Sequence, residues 1–362
     1  MAPITNSPPR PPRWYQSAWL RPFNDPHALD DLLQRVRPQA ALSEIRARVL
    51  SVIEQSADTR SFVLRPNRHW PGFSAGQHVL VTVIVRGRRL QRCFSISSAP
   101  ADRDTLEITI KRQGGSGVSA WMHAHLRSGD VVMLSKPSGE FGLPDLSEPM
   151  LMLSAGSGIT PMMSMLRDLR RRRQHGDIVL VHSCRDAEDL IFATSLRELV
   201  DTLPGLRLII HHSRSTGRLD PDVIKALVPD WTARLALVCG PAALIEWFST
   251  MHRDGIGAGR LRVERFGLAS IVAGDDAAVH AVDCLSSERS FTARAGESLL
   301  VAAELAGLAP RHGCRIGICR SCLCAKRSGR VENLLTGEIC AEPAQQIQLC
   351  ISRALSPLVL EL

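Results

Sequence analysis

A chain of 362 residues with 44% hydrophobic side chains and a net charge of +8 has room for two or three domains with buried cores. The start, MAPITNSPPRPPRWYQ, has no apolar signal segment, no stretch reaches the length of a spanning helix, and ten cysteines without a leader do not make a secreted disulfide scaffold, so a reducing cytoplasm is the expected setting. The basic balance suits an acidic partner or an anionic membrane surface, whereas no binding motif or aromatic-studded basic stripe points to nucleic acid.

Residues 1–42 read as an N-terminal extension. Its first dozen residues are Pro-rich with a polyproline bias, Trp14, Tyr15, Trp19 and Phe23 follow, and His27 to Val36 fits a short helix. The expectation is a strap packed on the domain behind it; the sharper alternative is peripheral contact with a membrane or a partner.

Residues 43–146 form the first predicted domain. IRARVLSVIEQ, TRSFVLRP, HVLVTVIV and LEITIKR are rich in Val, Ile and Thr and often alternate, with Gly and Pro between them, which predicts an antiparallel β-barrel. Val118 to Leu126 reads as its one helix. Within it, Arg92, Cys93, Phe94 and Ser95 would suit a flavin: a permanent cation for phosphate, an aromatic face for the ring, and a hydroxyl for its edge. Gly117, Val118 and Ser119 open the helix, where backbone N–H groups and a hydroxyl can hold a phosphate. Taken alone, Arg-x-Phe-Ser is an ordinary strand fragment.

Residues 147–268 form the second. MLMLSAGSGITPMMSMLRDL predicts a buried strand, a Gly-rich turn and a helix, with Thr160 as N-cap and Pro161 at the first helical position. Gly156, Ser157 and Gly158 would let the backbone approach a pyrophosphate at the helix N-terminus. Strands at Ile178 to Ser183, Arg207 to His212 and Leu235 to Cys239, alternating with helices, predict a doubly wound parallel sheet. Ligands bind beyond the carboxyl ends of such strands, which selects Ser183 to Arg185, Ser213, Arg214, and Cys239, Gly240 and Pro241. Arg170 to Arg173 falls at the far end of the helix, where cations complement the dipole, and is read as a solvated end.

Residues 269–277 read as a linker. Residues 278–362 then give two short strands, an Ala/Leu-rich helix closed by Gly307, and the run G-C-R-I-G-I-C-R-S-C-L-C. Cys314, Cys319 and Cys322 stand in Cys-x4-Cys-x2-Cys spacing, with Cys350 on a later predicted strand, an arrangement that suits a plant-type [2Fe–2S] cluster. Zinc usually takes two Cys-x2-Cys pairs, and only one is present among these ligands. Cys340 is the alternative fourth ligand, and Cys324 is too close to Cys322 to serve beside it.

In combination, PGFSAGQHV, RCFSISS, GSGVSAWM, LSAGSGITPMM, VCGP, ERFG and CRIGICRSCLC…LC resemble, in order, the motifs of the ferredoxin–NADP reductase superfamily, in the subgroup with a C-terminal plant-type ferredoxin domain. The resemblance covers roughly residues 45–362. It implies a multidomain chain: an antiparallel β-barrel flavin domain, an α/β nucleotide domain and an α+β, β-grasp-like ferredoxin domain. It implies FAD rather than FMN, bound by Arg92 to Ser95 and Gly117 to Ser119, and a nicotinamide nucleotide at Gly156 to Pro161. Ser95, Cys239 and Glu264 would be the catalytic side chains, with Cys239 near the nicotinamide and Glu264 to Phe266 closing the flavin's other side. Phe94 stands where the family often has Tyr, which keeps the stack and loses a hydroxyl contact. Ser213, Arg214 and Arg218 would favour NADPH over NADH.

The function so implied is a reductase passing electrons from NADPH through FAD and the cluster to a protein acceptor. The motif set and the N-terminal extension look similar to reductases of fatty-acid desaturases. A ring-hydroxylating dioxygenase or other monooxygenase is the alternative acceptor. A redox sensor without turnover is the reading from another class; Cys239 with an intact Gly156 to Pro161 loop speaks against it.

Overall fold

The computed structural model describes residues 39, 41, 42, 44–85, 88–102, 104–113, 117–144, 146–255, 260–266, 278–294, 296–315, 317 and 320–362. The aromatic N-terminal segment, the linker at 269–277 and Cys319 lie outside the described residues.

Alternating β-branched residues build the first sheet. Strands β1 (Ile45–Ser56), β2 (Thr59–Pro66), β3 (His78–Val85), β4 (Arg88–Ser95), β5 (Leu106–Lys111) and β6 (Val131–Leu134) lie in the order β4-β3-β6-β1-β2-β5, every neighbour antiparallel. Val79, Val81 and Val83 alternate inward along β3 and join Phe62, Leu64 and Ile108 in one core. A bridge from Ile96, just past β4, to Ile108 of β5 links the two edges and closes the barrel. Helix α1 (Val118–His125) adds Met122 to the core, and its His123 Nε2 lies 2.8 Å from the Ile110 carbonyl oxygen.

The second sheet is parallel. It contains β7 (Met150–Ala155), β8 (Ile178–Cys184), β9 (Leu206–His212), β10 (Leu235–Cys239) and β11 (Leu261–Glu264) in the order β11-β10-β7-β8-β9. Met150 and Met152 face the helices α2 (Ile159–Arg172) and α3 (Ala193–Thr202), whereas Leu151 and Leu153 face α4 (Pro221–Leu227) and α5 (Ala242–Gly255). Burial on both faces is why this strand reads as a continuous apolar run without alternation. The chain winds outward from β7 to β9, then crosses back to β10 beside β7. That crossing makes the β7–β10 gap the switch point where such sheets bind ligands.

Two local details differ from expectation. The residues Gly156–Gly158 form a 3₁₀ turn that runs straight into α2, so Gly158 is the N-cap, and Thr160 and Pro161 lie inside the first turn. Thr160 Oγ1 donates back to the Ser157 carbonyl at 2.9 Å. Cys350 sits in a 3₁₀ turn, Leu349–Ile351, where a strand was expected. The chain changes sheets there. The strands β12 (Val279–Cys284), β13 (Arg289–Arg294), β14 (Leu323–Ser328), β17 (Gln345–Gln348) and β19 (Leu358–Leu360) form a five-stranded mixed sheet in the order β13-β12-β19-β14-β17. The strands β15 (Val331–Asn333), β16 (Ile339–Cys340) and β18 (Ser352–Ala354) form a separate three-stranded one, and Cys350 lies between β17 and β18. Helix α6 (Leu299–Leu305), capped by Ser298 Oγ accepting from Val301 N, packs Leu299, Leu300 and Ala303 onto this core.

Candidate functional site

Three binding features meet around the end of β4 and the switch point. The first is a pocket lined by Arg92, Cys93, Phe94, Ser95 and Ser119 of the barrel, Ser157 and Thr160 of the parallel domain, and Phe266. Its chemistry fits a flavin: an aromatic face, a guanidinium, hydroxyls, and the start of α1 with Gly117 as N-cap beside Val118. Phe266 stands against the same pocket. Arg92 Nη2 donates to Gln113 Oε1 at 3.2 Å. Burial, and then the Arg315 guanidinium, weigh against the charge of Arg92, while the Cys93 and Cys314 sulfurs favour it. Arg92 thus lines this pocket within electrostatic reach of the C-terminal cysteine loop. Beside it Gln91 Oε1 accepts from Ser321 Oγ at 3.3 Å, a direct bond between the two domains.

Behind Ser95 is a buried acid. Ser95 Oγ donates to Glu264 Oε2 at 3.4 Å, and His78 Nδ1 lies 3.5 Å from Glu264 Oε1. Burial pushes the Glu264 carboxyl above its ordinary range, with His78 and Ser95 opposing. Cys239 is fully buried as the register partner of both Glu264 and Ser154, and burial with the Glu264 charge pushes its thiol well up. Ser95, Cys239 and Glu264 are therefore brought together across two domains. His78, which also reaches Ser138 Oγ at 3.1 Å, completes the group. The sequence reading missed it; its only signal was the final His of PGFSAGQH.

The second feature is a cavity of about 510 Å³, the size of a small-ligand site, lined by Gly156, Ser183, Arg185, Ser213, Arg218, Pro241 and Trp247 among others. Gly156 has φ +54°, and a Cβ there would meet nothing within 4 Å, so the turn presents open backbone to the cavity. Gly158 is required for a different reason: a Cβ would stand 2.0 Å from the Cys239 carbonyl oxygen, so only glycine lets the turn lie against β10. Gly240, next to it, is similarly tight, its Cβ position 2.9 Å from Leu244 Cδ2. Arg214 does not line the cavity; it pairs with Asp186 at 2.5 Å and is largely exposed. Arg185 and Trp247 take part instead, and so do Lys111 and Asp189.

The third feature is the cysteine loop. Cys314, Cys322 and Cys350 are buried. Cys350 is hydrogen-bonded to Cys322 and close enough to Cys314 to feel its charge, and these sulfurs together with burial drive its thiol far up. Thiols so crowded favour their protonated form, and a metal that binds them takes them as thiolates. Positive φ at Arg315, Gly317 and Arg320 curls the loop. Gln348 Nε2 donates to the Gly317 carbonyl at 2.6 Å, and Arg315 pins the loop to Glu304 through bonds of 2.6 and 3.0 Å. Cys340 is the register partner of Val331 in the outlying sheet. Cys324 faces the core beside Cys284, where burial and that neighbour push its thiol up to about 11. Among the described residues no three His, Cys, Asp or Glu converge tightly enough for a single metal ion. A two-iron unit spreads its thiolates around two irons, and its remaining candidate ligand, Cys319, is outside the described set.

Comparison with known proteins matches each feature to a domain. Residues 46–142 match the oxidoreductase FAD-binding domain, 152–250 the oxidoreductase NAD-binding domain, and 282–355 the 2Fe-2S iron-sulfur cluster binding domain. An NADPH oxidoreductase of Mycobacterium tuberculosis is 36% identical over 92% of this chain and 88% of its own. A glycine betaine monooxygenase reductase subunit of Chromohalobacter salexigens is 29% identical over 82% of this chain and 88% of its own. The structure of phthalate dioxygenase reductase, described as modular for electron transfer from pyridine nucleotides to [2Fe–2S], is similar with a TM-score of 0.61 at 27% identity, covering 88% of this chain and 98% of that one. The chain is an oxidoreductase that uses FAD, NAD(P)H and a [2Fe–2S] cluster.

Proposed function

We propose a donor, a route and an acceptor for this enzyme: the chain belongs to the ferredoxin–NADP reductase superfamily, in the branch with a C-terminal [2Fe–2S] ferredoxin domain, and is a reductase of the kind that serves oxygenase systems. The route runs from NADPH to FAD to a cluster held by Cys314, Cys319, Cys322 and Cys350, and out to a protein acceptor. The observation that carries it is the contact between the flavin-pocket strand and the cysteine loop: Arg92 lines the pocket, and Gln91 beside it accepts from Ser321 Oγ at 3.3 Å.

Bound flavin supplies the exchange between two-electron hydride chemistry and the one-electron chemistry of the cluster. The chain's own residues do the rest. The N–H groups of the Gly156–Gly158 turn and the α2 N-terminus hold the nucleotide's pyrophosphate. Cys239, fixed between β7 and β11, would wall the nicotinamide's binding site. Phe94 and Phe266 would help hold the flavin in the pocket they line, and Ser95 Oγ, which donates to Glu264, would link that pocket to the buried acid. Ser321 on Gln91 keeps the cysteine loop against β4.

The donor is NADPH. Arg218 and Arg185 supply cations for a 2′-phosphate and Ser213 a hydroxyl at the same cavity, and no carboxylate stands among Ser213 to Arg218 to hold free ribose hydroxyls. Arg218→Ala should raise KM for NADPH about 10- to 100-fold, the worth of one charge-assisted hydrogen bond, and leave KM for NADH within about twofold. Steady-state cytochrome c reduction with the two donors checks this.

The acceptor is a fatty-acid desaturase at a membrane surface. The support is the net charge of +8 and the Trp-bearing Pro-rich N-terminal segment. Among the described residues no helix is long and apolar enough to cross a membrane, so contact would be peripheral. A second acceptor, an oxygenase, is favoured by the monooxygenase and dioxygenase systems in the relatives' names. Reconstitution with NADPH, liposomes and a desaturase decides: acyl desaturation supports the first, and aromatic or alkyl hydroxylation with an oxygenase, without desaturation, supports the second.

A further inference from the structure

Two carboxylates and two cations meet where the barrel faces the nucleotide cavity. Asp58, on the turn between β1 and β2, and Lys111, ending β5, come from the barrel; Arg185 and Asp189 follow β8. Arg185 Nη2 donates to Asp189 Oδ1 at 2.7 Å and to Asp58 Oδ2 at 3.0 Å. Lys111 Nζ donates to Asp189 Oδ1 at 2.8 Å and lies 3.6 Å from Asp58 Oδ2. The four formal charges cancel, and the group crosses the boundary between the two domains.

The two carboxylates are not equivalent. The Asp189 side chain is 5% exposed and also accepts from the Arg185 backbone N–H at 3.2 Å. Its hydrogen bonds to Arg185 and Lys111, working against burial, hold its carboxyl well below the usual range. The Asp58 side chain is 21% exposed and holds Arg185 by one bond. The Arg185 side chain is itself 55% exposed, and it lines the cavity together with Ser213 and Arg218. Asp189 is therefore the fixed partner of Arg185, and Asp58 is the exchangeable one.

We propose that Asp58 is a positioning residue that competes with the 2′-phosphate of the nucleotide for Arg185, so that nucleotide binding opens this clasp between the domains and release re-forms it. This rests on the reading of the cavity as an NADPH site. With Asp58 in place, the cluster of charges that meets the phosphate is neutral; without it, the cluster carries one net positive charge. Coupling is reciprocal, so the bond that fastens Arg185 to the barrel lowers nucleotide affinity by the same factor that the nucleotide loosens the bond. The clasp thereby limits product affinity and favours its release.

Calorimetric titration of the holoprotein with 2′,5′-ADP and with 5′-AMP tests this without turnover. Asp58→Asn, nearly isosteric, should bind 2′,5′-ADP about three- to tenfold more tightly, the scale of removing one partly exposed charge near a phosphate, and 5′-AMP within about twofold of wild type. Asp58→Glu, which restores the charge, should return to wild-type affinity. Unchanged or weaker 2′,5′-ADP binding in Asp58→Asn, or equal tightening of both ligands, overturns the proposal. Arg218→Ala separates it from its premise: if Arg218→Ala loses 2′,5′-ADP affinity and Asp58→Asn changes nothing, only the clasp falls. If Arg218→Ala binds both ligands as wild type does, the NADPH reading falls as well.

Discussion

Cys350→Ser abolishes the EPR signal of the reduced cluster and lowers cytochrome c reduction at least about 100-fold, while NADPH-dependent ferricyanide reduction, which draws on the flavin directly, stays within about twofold. Cys340→Ser and Cys324→Ser keep the signal. The difference lies in position. Cys350 shares a buried site with Cys314 and Cys322, whereas Cys340 sits across from Val331 in another sheet and Cys324 packs beside Cys284. Serine is a hard, weakly acidic ligand in place of a thiolate. A retained signal in Cys350→Ser, together with loss in Cys340→Ser, would give the fourth ligand to Cys340.

Glu264→Gln slows hydride transfer from NADPH by about 100-fold or more, the lower end of what a positioned proton-holding group contributes, with NADP+ affinity within about twofold. Stopped-flow bleaching of the flavin reads the first and equilibrium titration the second. The same substitution stabilises the protein at neutral pH. Burial raises the folded carboxyl above its ordinary value of 4.5. The stability linked to Glu264 is therefore full below that value and is lost as pH rises through the folded one. Glutamine has no proton to lose, so the Tm of the variant should exceed wild type at pH 8 and the gap should close on acidification. A variant that is less stable at pH 8 would show that Glu264 is held ionised by His78 in place of being disfavoured by burial.

The architecture was legible because each domain advertises itself through a different period. Alternating Val and Ile marked the barrel, continuous apolar runs such as MLML marked the doubly covered parallel sheet, and cysteine spacing marked the last domain. The glycines of the 156–158 turn were also readable, since close backbone approach has no other residue solution. What escaped were polar side chains whose partners lie in another domain. His78, Lys111 and Asp58 look like ordinary strand and turn residues until Glu264 and Arg185 are brought to them. Arg214 pairs with Asp186, just past the neighbouring strand, and the cavity is lined by Arg218 and Arg185, a pairing that residue types alone do not reveal. Thr160 looked like a cap because the pattern of residue types cannot show that a 3₁₀ turn has already begun the helix at Gly158.

The most direct test of the route from nucleotide to flavin to cluster within one chain is anaerobic rapid mixing of the holoprotein with one equivalent of NADPH, following flavin absorbance and freeze-quenched EPR. With Ser321 of the cysteine loop bonded to Gln91, next to Arg92 of the flavin pocket, flavin bleaching should come first, and the cluster signal should then grow at a rate independent of protein concentration. A cluster signal that grows in proportion to protein concentration, or that never appears after the flavin has bleached, would contradict transfer within the chain.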